Sequence, residues 1–178
     1  WRMDVAKELD FSFWKDFRDI AHNANKDTLL ISEIFGDTSQ WLQGDRFDGT
    51  MNYSFRESMT DYFATKRINN KEFSDSLAYL YSMYSFEALS SCQNLLSSHD
   101  VKRFLNRCGN DKNGMLGAIF MQATFPGIAG IYYGDEIGLG GADDPFNREP
   151  FPWEDKNSWN LEILNYLKSI MEIKRTSS

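Results

Sequence analysis

The sequence predicts an α/β fold, the C-terminal half of a (β/α)8 TIM barrel, and three observations carry that prediction. Short apolar runs alternate with longer stretches of helical period, the signature of βαβ units around a parallel sheet. No hairpin signal separates neighbouring runs. Three of the runs close on a carboxylate: Trp1-Arg-Met-Asp4, Thr28-Leu-Leu-Ile-Ser-Glu33 and Leu95-Leu-Ser-Ser-His-Asp100. In a parallel β/α barrel the catalytic groups lie at the carboxyl ends of several strands, so acids in those places converge although they are far apart in sequence.

The first strand is expected over residues 1–6. Phe13, Trp14, Phe17, Ile20, Ala21 and Ala24 then recur at helical spacing, with Ser12 as the expected N-cap. A second strand is read at 28–33 and a weaker third from Phe47 to Asn52. Helical stretches follow at 54–65 and 73–89, the second carrying Phe73, Leu77, Leu80, Tyr84 and Leu89. The next strand runs from Cys92 to Ser97, the next helix from Met115 to Phe125, and the last strand from Gly127 to Tyr133. A loop rich in Gly, Asp and Pro covers 134–157, longer than an ordinary connection and for that reason a candidate functional loop. It leads into a helix with Leu161, Leu164, Leu167, Ile170 and Met171 on one face. Five strands are too few to close an eight-stranded barrel. Residues 1–178 are therefore read as one domain running from strand 4 to helix 8, with the upstream barrel half and any flanking β-domains expected outside it. The opening at Trp1, with a strand already in progress, fits that expectation.

Composition narrows the function. A chain of 178 residues can bury a sizeable core, and an aromatic content of 15% serves that core before anything else. Aromatic rings also suit stacking on the apolar face of a pyranose. The net charge of −7 argues against a nucleic-acid partner, which requires a basic face. No apolar run approaches membrane-spanning length, so no membrane partner is expected. Cys92 and Cys108 form neither a metal-ligand spacing nor a disulfide framework, which favours a reduced, cytoplasmic setting and no metal site.

The acids carry the chemistry. A retaining glycosidase needs one carboxylate as nucleophile and one carboxylic acid as proton donor, roughly 5–5.5 Å apart. Asp4 and Glu33 end consecutive strands, which in a parallel sheet lie about 4.8 Å apart. Arg2 lies two residues before Asp4 and so shares its side of the strand, where a guanidinium would keep Asp4 ionised and oriented. A barrel-mouth salt bridge without catalysis is the competing reading, and residue pattern alone leaves the two about even.

Trp-Arg-Met-Asp-Val-Ala-Lys-Glu (1–8), Ile-Ser-Glu-Ile-Phe-Gly (31–36) and Leu-Leu-Ser-Ser-His-Asp (95–100) resemble three signatures of the α-amylase family of glycoside hydrolases, in the same order and at similar separations. The resemblance implies Asp4 as nucleophile, Glu33 as general acid/base and Asp100 as a third acid that binds sugar hydroxyls and favours the transition state. It also implies Arg2 as the partner of the nucleophile and His99 as a hydroxyl ligand. His99 alone could equally be a satisfied core histidine; His22, among Asn and Lys late in a helix, is expected to be a solvated surface residue.

Tyr132 to Trp153 and Trp41 to Tyr53 resemble the neopullulanase, cyclomaltodextrinase and maltogenic amylase group of that family. This implies Asp144 and Arg148 as donor-side sugar ligands, against the competing reading of a loop-stiffening ion pair, and adds Phe35 and Tyr53 to the expected sugar-binding residues. Phe35 and Gly36 stand where the group usually has Trp and often His, so any stacked acceptor sugar lacks the indole N–H donor, which leaves hydrolysis versus transglycosylation open. Lys7 stands where Asn is common. The resemblance implies no organic cofactor, places any calcium site largely on residues upstream of this chain, and suggests a homodimer for the full-length protein. It implies as substrate an α-glucan or malto-oligosaccharide. An α-glucosidase or oligo-1,6-glucosidase, and a non-catalytic glucan-binding relative, are the alternatives. Gly138-Leu-Gly-Gly141 reads as a flexible turn and Asp111-Lys-Asn-Gly114 as a β-turn.

Overall fold

A computed structural model describes residues 1–176. Five strands form one sheet in the order of the chain: β1 (Arg2–Met3), β2 (Ile31–Ser32), β3 (Gly49–Asn52), β4 (Gln93–Leu95) and β5 (Ile128–Gly130). Every neighbouring pair is parallel. The helices between them are α1 (Phe11–Ala24), α2 (Tyr53–Met59), α3 (Asn70–Met83), α4 (Phe86–Ser91), α5 (Phe104–Arg107) and α6 (Lys112–Thr124), and α7 (Leu161–Thr176) follows the long loop. The parallel α/β layout is the predicted one.

The two faces of the sheet bury different things. On the helix side, Leu30, Phe47, Phe55, Leu89, Phe104, Ile119 and Ile163 belong to one apolar core. On the other side Ile31, Met51, Tyr53 and Leu95 form a separate small cluster, with Val101 against it. The register explains the division. Arg2 pairs with Ile31, Ile31 with Gly49, and Met51 with Gln93, so Arg2, Ile31, Met51 and Leu95 share the face away from the helices by the alternation of side chains along a strand. Gly49 lies at a close approach to α4, where a Cβ would collide with the Ser91 carbonyl.

Several expected boundaries shift. The ladders are shorter than the apolar runs, because β1 stops where Val5 turns into the left-handed region at φ 41°. Asp10, not Ser12, takes the N-cap position of α1, without a side-chain cap bond, and Ser12 lies within the first turn. The stretch at 73–89 is two helices. Tyr84 is extended at φ −128° and ψ 154°, and the Ser85 hydroxyl accepts from the Ala88 N–H to begin α4. The stretch at 54–65 widens after α2 into a π-helical turn over Thr60–Ala64. Asp111 is a helix N-cap rather than part of a β-turn: its carboxylate accepts from the Asn113 N–H at 3.0 Å and starts α6. His22 is half-buried, not solvated, with Nε2 3.5 Å from an Asp48 carboxylate oxygen. Asp48 folds back onto α1, where it also accepts from Arg18 at 2.6 Å and from the Leu30 N–H at 2.8 Å.

Candidate active site

Asp4, Glu33 and Asp100 meet at the carboxyl ends of β1, β2 and β4. The parallel ladder sets the first two. The Ile31 N–H donates to the Trp1 carbonyl at 2.8 Å and the Glu33 N–H to the Met3 carbonyl at 3.0 Å, which keeps the chain in register one residue beyond β2. Glu33 is 5% exposed, whereas Asp4, in the turn after β1, is open to solvent. The turn is pinned from below by the buried Trp14 indole, which donates to the Ala6 carbonyl at 2.8 Å. Val5, immediately after Asp4, holds a left-handed backbone that a β-branched residue rarely adopts.

Arg2 joins the acids. One guanidinium nitrogen donates to Asp4 at 2.9 Å, and the other is in ion-pair contact with Glu33 and 3.4 Å from His99 Nε2. The same His99 nitrogen lies 3.8 Å from Glu33 and 3.4 Å from Asp100. Glu33, His99 and Asp100 can each offer one ligand atom within 4.8 Å of the others, the only such group among the described residues. Each of its carboxylates has a guanidinium beside it, Arg2 on Glu33 and Arg148 at 3.6 Å from Asp100, and those two arginines are shared with Asp4 and Asp144.

The remaining expected residues converge on the same mouth. Phe35 stacks on Tyr53 with ring centroids 3.8 Å apart, and much of Phe35 stays exposed. The Tyr53 hydroxyl shares a hydrogen bond with the Ser98 hydroxyl at 3.1 Å. Burial pushes the Tyr53 phenol above its ordinary pKa, and the negative charges of Glu33 and Asp100 push the same way. Arg148 pairs with Asp144 at 2.7 Å, and both reach solvent beside Asp100, so the pair meets the acid cluster instead of lying apart from it.

Sequence reasoning missed the residues that hold Asp100. β4 ends at Leu95, and the chain then runs through a turn closed by the Val101 N–H to the Ser98 carbonyl at 3.4 Å. Arg56 of α2 donates to the Leu96 carbonyl at 2.8 Å and to the Lys102 carbonyl at 3.3 Å. Ser97 accepts from the Phe104 N–H and donates to Asp135, both at 2.9 Å. Arg103 is fully buried, donates to the Tyr133 carbonyl at 2.6 Å and lies under the rings of Tyr132 and Tyr133. Asn147, also fully buried, faces three carbonyls of the turn. Gly138-Leu-Gly-Gly141, expected as a flexible turn, is tied in: the Gly141 N–H donates to Asn106 and its carbonyl accepts from the Arg103 N–H. Asp135 is the one strongly perturbed acid near the site. Burial raises it to about 7, although the Ser97 hydroxyl and Arg103 pull it down. The thiols of Cys92 and Cys108 are pushed up to about 11 and about 12 by burial, which makes them poor nucleophiles at neutral pH.

The family described as "Alpha amylase, catalytic domain" matches residues 1–169. Neopullulanase 2 of Thermoactinomyces vulgaris is 42% identical over 174 residues, which is 98% of this chain and 30% of that protein. A cyclomaltodextrinase of Thermoanaerobacter pseudethanolicus is 37% identical over 175 residues, again 98% of this chain and 30% of that protein. A solved structure named "Cyclomaltodextrinase" superposes with a TM-score of 0.95 at 35% identity, covering 99% of this chain and 30% of its own. The chain thus spans about 30% of the length of the curated relatives it matches. No helix among the described residues is long and apolar enough to cross a membrane.

Proposed function

The chain belongs to the α-amylase catalytic-domain family, and from that premise we propose that it contributes strand 4 to helix 8 of a barrel in a retaining glycoside hydrolase. The substrates are α-glucosidic bonds of cyclodextrins, pullulan, starch or malto-oligosaccharides. One observation carries the reading: a single guanidinium, Arg2, bridges Asp4 and Glu33 while His99 and Asp100 close the other side of Glu33.

In the first step the protonated Glu33 gives its proton to the glycosidic oxygen while the Asp4 carboxylate attacks the anomeric carbon. The C–O bond breaks, the leaving sugar departs with the proton, and the glycosyl group is held as an ester on Asp4. In the second step the Glu33 carboxylate takes a proton from water or from an acceptor hydroxyl. That oxygen attacks the anomeric carbon and releases Asp4, and two inversions retain the α configuration. Arg2 donates to the Asp4 carboxylate and holds it oriented for attack. Asp100 and His99 bind hydroxyls of the sugar undergoing reaction, with Asp144 and Arg148 as donor-side ligands and Phe35 against the acceptor. The two separated, reduced thiols support a cytoplasmic location.

The test is sugar release by the full-length protein on β-cyclodextrin, pullulan and starch in parallel, with the first-formed anomer followed by NMR. Initial α product on at least one substrate is expected. Initial β product excludes double displacement, and no release from any of the three overturns the reading.

A further inference from the structure

We propose that Asn147 is a positioning residue for this reaction: its side-chain N–H2 group holds the backbone of the Ser98–Val101 turn and so sets where His99 and Asp100 present their side chains. The inference rests on the roles given to those two residues above, and goes beyond them in assigning a residue that touches no substrate.

Asp100 lies five residues beyond the last residue of β4, so no ladder places it. Its turn closes through one long backbone bond, Val101 N–H to Ser98 carbonyl at 3.4 Å, and through the Asp100 N–H to the Ser98 hydroxyl at 3.2 Å. Of the inward-facing carbonyls of Ser98, His99 and Val101, only that of Ser98 takes part in either bond, and the other two are left to a partner from outside the turn. Asn147 meets all three of them: its Nδ2 lies 2.8 Å from the His99 oxygen, 3.2 Å from that of Val101 and 3.5 Å from that of Ser98. The residue is fully buried, and its Oδ1 has no hydrogen-bond partner among the described residues. A buried amide oxygen without a partner is costly. The amide is kept at this place for its two donors, since three neighbouring acceptors leave only a donor compatible with the site. The clamp is also coupled to the ligand loop. Asn147 and Arg148 belong to one short helical turn, Phe146–Arg148, so the element that fixes the turn's backbone also lays Arg148 on the Asp100 carboxylate.

A misplacement of about 1 Å can cost on the order of a hundredfold in rate. An acid that acts mainly on the transition state shows such a loss in kcat more than in KM. The experiment uses the full-length enzyme on β-cyclodextrin with two variants that keep the number and branching of the side-chain heavy atoms. Asn147→Leu removes both donors, and kcat is expected to fall about tenfold or more while KM changes less than about threefold. Asn147→Asp leaves a carboxyl that can donate only when protonated. Its kcat per folded molecule, with the folded fraction read by circular dichroism at each pH, is expected to rise relative to the unsubstituted enzyme as pH falls, whereas a merely structural residue would move the folded fraction and leave that kcat unchanged. This ratio carries the test if the leucine variant does not fold. A folded Asn147→Leu enzyme with unchanged kcat, or an Asn147→Asp ratio flat across pH, overturns the proposal. If the unsubstituted protein releases no sugar, the reading of the site has failed, and positioning is judged by the His99 imidazole signals in a 1H–15N spectrum. Broadening or splitting of those signals in either variant upholds the clamp, and unchanged signals overturn it.

Discussion

Glu33 and Asp100 carry the same chemical group to the same mouth, and the molecule places them by different means. Glu33 needs only its own strand and the next one: the Met3 carbonyl receives its N–H, and the residue is buried where the ladder ends. Asp100 needs five partners from elsewhere, namely Arg56, Tyr53, Asn147, Asp135 acting through Ser97, and Arg148. A side chain on a ladder inherits its position from backbone hydrogen bonds that any sequence can make. One on a turn depends on particular side chains, each of which can be lost by a single substitution. Rigidity at this site is therefore local on the β1–β2 side and distributed on the β4 side.

The comparison can be broken most directly at Glu33. Glu33→Gln keeps the ladder and the shape but removes proton transfer, so kcat of the full-length enzyme on unactivated glucans should fall by about 10²–10⁴. The melting temperature should change little, since Arg2 keeps a hydrogen-bond acceptor. Near-normal turnover would remove Glu33 from the role of acid.

The next largest effect probes the distributed side through pH. Burial raises Asp135 to about 7, well above its ordinary value of 3.8, so the folded state keeps a proton that the unfolded chain has released. The sign follows: its contribution to stability is full below about pH 4 and is lost as pH rises towards 7, at about 1.4 kcal/mol per pH unit. Asp135→Asn should flatten that part of the stability–pH curve, measured by melting temperature between pH 4 and 7. A slope identical to that of the unsubstituted protein would show that Asp135 is ionised, and that Arg103 outweighs burial.

Arg148→Ala tests the ligand loop. A hydrogen bond to a charged group contributes roughly 1.5–3 kcal/mol, so kcat/KM on cyclodextrin should fall about tenfold or more, and less on a short aryl glucoside. Equal losses on both, or a lower melting temperature with unchanged kinetics, would reduce the Asp144–Arg148 pair to a stiffener of the loop. The smallest effect is expected of Tyr53→Phe, which removes one neutral hydrogen bond between the strand-borne and turn-borne halves of the site. About 1 kcal/mol of stability should be lost, with the Phe35 stack intact. A loss in rate comparable to that of Arg148→Ala would mean that the hydroxyl orients Ser98 and the turn behind it.

These effects track how legible each part was. The five strands, their parallel order and the meeting of Asp4 with Glu33 could be read because the apolar runs end where the acids begin. A parallel sheet puts consecutive strand ends side by side. Boundaries were less legible. Val5 cuts β1 short through its backbone conformation, and the Ser85 cap splits an unbroken apolar periodicity into α3 and α4. His22 looked solvated because its neighbours in sequence are polar, yet Asp48, twenty-six residues on, lies against it.

What local periodicity and strand-end position determined by themselves was the α/β class, the parallel order of the strands and the placing of Asp4, Glu33 and Asp100 at strand ends with Arg2 beside Asp4, while His99 entered only through the motif resemblance. What only the tertiary structure decided was the support of the third acid. Arg56 and Arg103 carry no period, motif or composition signal that marks them, and Ser97, Asp135 and Asn147, though they lie in the resembling stretches, carry nothing there that shows what they hold. Their roles arise from hydrogen bonds between side chains and backbone carbonyls up to 49 residues apart. Such bonds depend on where two loops come to rest against each other, and that is settled by packing rather than by either loop's own residues.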